Sequence, residues 1–327
     1  MRITILGCGR WGSFLAWYLD KLGNDVLLWG RESSEKLKQL IATRKNDYVT
    51  LPDSVKFSNS ICDAISFSDY IIISIEGQNL RKFMEQITKE RHHGKTFILC
   101  MKGLEPDTGY RFSEVASQYL GNTATIAILV GPGQPREIAN GIPTDMVIDS
   151  SNFSAKKHLA KVFSSELITI HLGKDMIGNE IGAAAKNVVG IAGGMLDGMN
   201  MPELKKMLII KGTREIAQLI QALGGNPFTA YDLCCLGDYD TSMYSNESDS
   251  ESESNSRNFG ISFVKKQNFG KYTPGKDAAS PITFLAEKNG VKMPVISIIC
   301  QILLGKVAPE NISRVLRPEG TTFDLDI

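Results

Sequence analysis

The stretch that most constrains this chain is Arg2-Ile-Thr-Ile-Leu6 followed by Gly7-Cys-Gly9-Arg-Trp-Gly12. A helical run from Ser13 to Leu22 comes next, then a stop at Gly23-Asn24 and a second apolar strand, Asp25-Val-Leu-Leu-Trp29. Strand, G-x-G-x-x-G, helix and strand thus fall within about thirty residues, the length of one βαβ unit. In that setting each glycine has its own task. The first permits the tight turn out of the strand, the second lets a pyrophosphate approach bare backbone, and the third lets helix and strand pack closely. Amide groups at the helix N-terminus then face the phosphates. A dinucleotide is expected to bind at Gly7, Gly9 and Gly12.

The end of the second strand bears on which dinucleotide. An NAD site commonly places Asp or Glu there to accept hydrogen bonds from the ribose hydroxyls. This chain reads Trp29-Gly30-Arg31 instead. A guanidinium at Arg31 matches a 2′-phosphate, so NADP is favoured and NAD remains possible.

Further apolar runs follow at Tyr70–Ile75, Thr96–Met101, Thr125–Val130, Asp145–Asp149 and Leu167–His171, with helical stretches at Gln78–Glu90, Thr108–Leu120 and Asn152–Ser164. The runs do not alternate with polar residues, which predicts a parallel sheet covered on both faces. Ligands of such sheets gather at the carboxyl ends of the strands. That places Lys102, after the Thr96–Met101 run, where it could meet an anionic substrate. It gives the turn Gly131-Pro-Gly133-Gln-Pro135 a chance to present backbone amides. A plain loop and a solvated lysine are the alternatives.

No buried strand is recognisable beyond Gly173. At 327 residues the chain is also long for one core. The reading is α/β: a doubly wound dinucleotide-binding domain over residues 1–175, then an all-helical domain over residues 176–327.

The helical domain opens on Gly178-Asn-Glu-Ile-Gly182-Ala-Ala-Ala-Lys186-Asn-Val-Val-Gly190-Ile-Ala-Gly-Gly194-Met-Leu-Asp-Gly198. Gly178, Gly182, Lys186, Gly190 and Gly194 are four apart and form one ridge of a helix, bare except for a single ammonium. Each interior glycine costs ~1 kcal/mol relative to alanine, so something must approach this ridge closely. Two readings stand: tight helix packing with Lys186 reaching out to water, or a catalytic lysine facing a ligand.

Helices are expected from Met201 to Leu223 and from Pro227 to Asp238, followed by a low-complexity acidic, serine-rich loop over residues 244–255. Ser256 reads as the N-cap of a helix from Asn258 to Lys266. With Arg257 beside it, that helix start would make a phosphate cradle. Helical stretches at Ala278–Asn289, Pro294–Leu304 and Pro309–Leu316 finish the chain.

Lys and Arg balance Asp and Glu at 36 each, so a nucleic-acid surface is not expected and any anion selectivity must be local. Six cysteines without paired spacing and four histidines suggest free thiols and no metal site. The chain enters a strand at once and has no run long enough to span a bilayer, so a cytoplasmic protein without membrane insertion is expected.

Taken together, these pieces resemble the bacterial type of NAD(P)-dependent sn-glycerol-3-phosphate dehydrogenase family. The resemblance rests on Gly7-Cys-Gly-Arg-Trp-Gly12, Leu28-Trp-Gly-Arg31, Lys102-Gly-Leu-Glu105, Gly131-Pro132 with Glu137, Ala184-Ala-Lys-Asn187, Gly193 to Gly198, Leu236-Gly-Asp238, Ser256-Arg-Asn258 and Gly290 to Pro294, in one order over nearly the whole chain. It implies a Rossmann domain followed by an all-helical substrate domain, usually as a homodimer. It also implies hydride transfer between nicotinamide and C2 of dihydroxyacetone phosphate, giving glycerol 3-phosphate for phospholipid synthesis.

By the same resemblance, Lys186 is the general acid/base and Asp238 its companion. Substrate contacts fall on Lys102, Gly131, Gly133, Ser256, Arg257 and Asn258. Cofactor contacts fall on the glycines with Arg10, Trp11, Arg31, Lys102, Pro135 and Arg257. The chain departs from the family at Gly133, where a polar side chain is usual, at Pro135, at Thr241-Ser242 and at Thr273-Pro274-Gly275, where a carboxylate is lost. The gap between Asp238 and Arg257 is also longer than usual. Those departures keep open a related reductase of another phosphorylated or acidic ketone, and a non-catalytic NADPH-binding protein.

Overall fold

A computed structural model describes residues 1–239, 243 and 254–317. The chain forms two compact units. Met1–Met101 and Phe112–Met176 make the first, and Lys102–Arg111 with Ile177–Ile327 make the second. Ten residues that the sequence leaves with the first domain therefore belong to the second.

The first unit is built on one eight-stranded sheet in the order β3-β2-β1-β4-β5-β6-β7-β8. Its strands are β1 (Arg2–Leu6), β2 (Asp25–Trp29), β3 (Lys56–Ser58), β4 (Tyr70–Ile73), β5 (Thr96–Leu99), β6 (Thr125–Val130), β7 (Thr144–Asp149) and β8 (Ile168–Leu172). The chain builds outward from β1 to β2 and β3, then returns to pair β4 on the other side of β1. Leu6 at the end of β1 is in register with Trp29 on one side and Ile73 on the other. That reversal is the switch point beside which ligands of open α/β sheets bind.

Two features differ from the sequence expectation. β7 runs antiparallel to β6. The helix between them, Pro135–Ala139, rises only about 8 Å, too little to carry the chain back along a six-residue strand of ~20 Å. The edge strand β3 and the short helix Ile61–Phe67 also have no counterpart in the sequence reading, since three residues are too few to show a period.

The second unit is helical. Its axis is α8 (Met176–Gly198), numbered after seven helices of the first unit, and its residues 178–196 are all buried. A helix buried around its whole circumference has to be surrounded. The other helices are α9 (Lys205–Ala222), α10 (Asn255–Val264), α11 (Pro274–Lys288), α12 (Pro294–Leu303) and α13 (Asn311–Leu316), with 3-10 turns at Pro227–Tyr231 and Leu236–Asp238, and α9, α10 and α11 meet α8 closely at Gly212, Gly260 and Gly275. Glu215 of α9 is fully buried and accepts from the backbone amides of Val295 (2.7 Å) and Ile296 (3.0 Å). It caps α12, whose own N-cap residue, Met293, has no side chain able to do so. Among the described residues no helix is long and apolar enough to cross a membrane.

Of the acidic loop at 244–255, residues 244–253 lie outside the described residues, as do Thr241 and Ser242.

Candidate active site

In the first unit the glycine turn closes as its spacing requires. Gly7 has φ +119°, and a Cβ there would overlap the carbonyl of Ser74 beyond β4. A Cβ on Gly12 would overlap the carbonyl of Gly7. At Gly9 a Cβ would meet nothing within 4 Å. The first and third glycines are thus demanded by the fold, while the second opens onto space. A dinucleotide pyrophosphate fits that arrangement, because it needs backbone free of side chains at a helix N-terminus. The helix itself, α1, runs Arg10–Lys21 with Gly9 as N-cap, three residues earlier than the sequence suggests. Gly12 therefore already sits in its first turn.

Arg10 and Trp11 open α1 and are half-buried, and Arg31 just beyond β2 is exposed. The guanidinium carbons of Arg10 and of Arg136 each lie 5.9 Å from the centre of the Tyr48 ring. Asn46, two residues before that tyrosine, donates to Ser13 Oγ at 2.6 Å and ties the loop to α1. The meeting of Tyr48 with Arg10 and Arg136 was not legible, since Tyr48 comes from a polar stretch without a period and Arg136 lies 88 residues further on.

Gly131 has φ +117°, and Pro135 is buried at the first position of its helix. A Cβ on Gly133 would come 2.9 Å from the Trp11 ring and 3.3 Å from Met146. The missing side chain at 133 thus has a local cause in the size of its neighbours.

The second unit holds the charged residues. Lys186 is 4 % exposed, and its Nζ lies 2.9 Å from Asp238 Oδ2. Lys102 Nζ donates to the same oxygen at 2.7 Å. Asp238 itself is 1 % exposed. Burial pushes the Lys186 ammonium down to about 8; the Asp238 carboxylate opposes that shift and Lys102 adds to it. Burial alone would raise the Asp238 carboxyl, but the two lysines hold it below the usual carboxylate value. The result is a lysine that can hold or release a proton near neutral pH.

The glycine ridge turns out to serve packing. A Cβ on Gly194 would overlap the backbone carbonyl of Arg257, and one on Gly260 would overlap that of Ile191. Helix α10 therefore crosses α8 in backbone contact at Gly194, two turns beyond Lys186 on the same ridge. Gly193 faces Met243, and Gly182 lies against Cys235. Lys186 is buried rather than extended into solvent. The ridge gives close packing, and the lysine is kept inside it on a carboxylate.

The Ser256 cap is a correction. α10 starts at Asn255, and Ser254 is its N-cap, accepting from the Arg257 amide at 3.3 Å. Ser256, Arg257 and Asn258 therefore occupy the first turn, with Ser256 and Arg257 buried. Another serine two residues earlier, in a serine-rich run, offers the same chemistry with better spacing.

Arg257 Nε donates to Asp197 Oδ2 at 2.7 Å, and Lys205 pairs with the other oxygen of that carboxylate. Asp197 and Lys205 escaped the sequence reading. Asp197 lies within the glycine-rich stretch, and its spacing from Arg257 carries no signal. At Thr273-Pro274-Gly275, the proline opens α11 and a Cβ on Gly275 would overlap the carbonyl of Asn187. That segment is thereby packed directly on α8.

Comparisons with known proteins cover both units. A family model described as NAD-dependent glycerol-3-phosphate dehydrogenase N-terminus matches residues 2–156, and the corresponding C-terminus model matches residues 175–314. A glycerol-3-phosphate dehydrogenase [NAD(P)+] of Glaesserella parasuis serovar 5 is 30% identical over 97% of this chain and 96% of its own. One of Leifsonia xyli subsp. xyli is 31% identical over 98% of this chain and 87% of its own. Among solved structures, a glycerol-3-phosphate dehydrogenase from Coxiella burnetii superposes with a TM-score of 0.87 at 25% identity, covering 96% of this chain and 98% of that one.

Proposed function

The chain belongs to the NAD-dependent glycerol-3-phosphate dehydrogenase family, and from that premise we propose that it interconverts dihydroxyacetone phosphate and sn-glycerol 3-phosphate with NAD(P) as cofactor. The observation that carries the reading is the buried Lys186–Asp238–Lys102 cluster, with its lysine brought to about 8. A bound dihydronicotinamide supplies the hydride to C2 of the ketone. As C2 is reduced, negative charge builds on its oxygen. The Lys186 ammonium stabilises that charge and donates its proton to the oxygen. Asp238 holds the ammonium in place from one side, while Lys102 keeps it acidic enough to give the proton up. In the oxidative direction the neutral Lys186 amine takes the hydroxyl proton.

Arg257, held by Asp197, and Asn258 bind the phosphate and fix C2 in position, with Ser256 in the same helical turn. Gly131 and Gly133 present backbone to the ligand. Gly7, Gly9 and Gly12 receive the pyrophosphate, with Arg10, Trp11 and Pro135 beside it. Arg31 reads the 2′-phosphate, which makes NADP the favoured form and leaves NAD usable. The six cysteines, all free, suit a reducing cytoplasm. Phe228 and Tyr231, 73% and 48% exposed, suit a homodimer whose partner covers them.

The test is the absorbance of NADPH with dihydroxyacetone phosphate as the one added ketone. The wild-type chain consumes NADPH. Lys186→Ala lowers kcat by roughly 10²- to 10⁴-fold with little change in NADPH affinity. A retained kcat removes Lys186 from the chemistry.

A further inference from the structure

The segment Lys102–Arg111 belongs to the second unit and is pinned at both ends. At its start Lys102 lies on Asp238. At its end Arg111 Nη1 donates to Glu180 Oε2 at 2.9 Å, with both side chains largely buried. Between them the segment closes on itself. Leu104 and Arg111 form an antiparallel bridge, Glu105 N donates to Tyr110 O, and Gly109 N donates to Glu105 O. Leu104 is 2 % exposed and packs in the core that contains α8. Gly103, at φ +155°, makes the bend between Lys102 and Leu104 that other residues adopt with difficulty. Arg111 is therefore backbone-paired to the residue two places after Lys102. Glu180 stands on α8 six residues before Lys186, about 9 Å along the axis.

We infer that the Arg111–Glu180 ion pair is a positioning device for the reacting centre, fixing the closed segment to α8 and so holding the Lys102 ammonium on Asp238 beside Lys186. The inference rests on the reading of Lys186 as proton donor. Stability alone is a poor reason for this pair, because a buried ion pair can often be exchanged for apolar side chains without loss. Its geometry supplies the other reason. The pair joins the helix that carries Lys186 to the segment that carries Lys102. Among the described residues, the charged and titratable groups that shift the Lys186 ammonium are Asp238, Lys102 and Cys235, whose thiol burial pushes up to about 12. An effect of the pair on the Lys186 proton therefore passes through Lys102.

Removing one partner strands a buried charge and threatens the fold, so the test uses the double variant Arg111→Met/Glu180→Met. kcat for sn-glycerol 3-phosphate oxidation is measured against pH, beside Arg111→Lys, Lys102→Met and Lys186→Ala. With Lys102 released, the double variant shifts the midpoint of the rising limb alkaline by ~0.5–1 pH unit, in the same direction as Lys102→Met, and kcat at neutral pH falls roughly three- to tenfold. Arg111→Lys, which keeps a cation for Glu180, stays close to the wild-type midpoint and kcat. A folded double variant with wild-type kcat and midpoint overturns the inference, while Lys186→Ala remains crippled and the parent reading stands. Wild-type activity in Lys186→Ala overturns the parent reading instead.

Discussion

Lys102→Met is the sharpest probe of the buried cluster. Lys102 and Lys186 approach one oxygen of Asp238 at 2.7 and 2.9 Å, so their nitrogens are at most about 5.6 Å apart. Two unit charges at that separation repel by roughly 3 kcal/mol at an effective dielectric near 20. The Lys102 side chain is 24% exposed, and water screens part of that. A realistic share is ~1–2 kcal/mol, or about one pKa unit. Deleting a neighbouring cation favours the charged form, so Lys186 moves up from about 8 toward its ordinary 10.5. Methionine keeps the length of the side chain and removes the charge. The assay is kcat for sn-glycerol 3-phosphate oxidation with NADP+ at saturation from about pH 6 to about pH 10, which separates the proton from any loss of substrate affinity. The rising limb shifts alkaline by about one unit, and the rate at pH 7 falls roughly tenfold from that cause. Reduction of dihydroxyacetone phosphate, which needs the protonated lysine, holds up to higher pH than in the wild type. A midpoint that stays in place or moves acid refutes the electrostatic account of Lys186.

Other perturbations separate the remaining roles. Arg257→Ala raises KM for dihydroxyacetone phosphate by roughly two orders of magnitude, the loss of a charge-assisted contact of ~3 kcal/mol; an unchanged KM takes Arg257 off the phosphate. For Arg31→Ala the ratio of NADPH to NADH efficiency falls, whereas an unaltered ratio leaves the 2′-phosphate to another group. Gly194→Ala pushes a methyl group into the Arg257 backbone and costs ~3 kcal/mol in urea unfolding, while wild-type stability would show that α10 can slide. Burial raises the Glu215 carboxyl to about 7 despite the two backbone amides that favour its charge, so the folded chain binds more protons than the unfolded one between about 4.5 and 7. Unfolding free energy therefore declines as pH rises through that window, and Glu215→Gln flattens the decline. Equal slopes in the two proteins would reassign it to other groups.

Much of this arrangement was legible because it is local. The Gly7-x-Gly9-x-x-Gly12 turn, the buried runs of β1, β4 and β5, and the ridge through Lys186 repeat at periods that backbone geometry imposes on sequence. What was not legible depends on partners far apart in the chain. β3 has three residues and no period. The antiparallel β7 follows from the shortness of one helix, a matter of length and not of composition. The cap of α10 is Ser254 because helix phase, set by Gly260 meeting Ile191, chooses among neighbouring serines. The Asp197–Arg257 and Arg111–Glu180 pairs span 60 and 69 residues and leave no trace in local pattern.

The second unit contains two clusters of like composition, each one carboxylate shared by two cations. Asp238 carries Lys102 and Lys186, and Asp197 carries Arg257 and Lys205. Their difference lies in what each can release. An arginine keeps its charge at any working pH, so the Asp197 cluster presents a permanent cation and suits a group that stays anionic throughout the reaction, as a phosphate does. Lys186, lowered to about 8, can be charged before the reaction and neutral after it, as an oxygen that receives a proton requires. Exchanging the two residue types would reverse both properties: an arginine at 186 would hold its proton, and a lysine at 257 would lose the planar fork that grips phosphate. One helix, α8, carries Lys186 and Asp197, and its bare position at Gly194 admits the backbone that brings Arg257. The expensive glycine at 194 and the two clusters are thus one design, because a side chain there would separate Arg257 from the helix that carries Lys186.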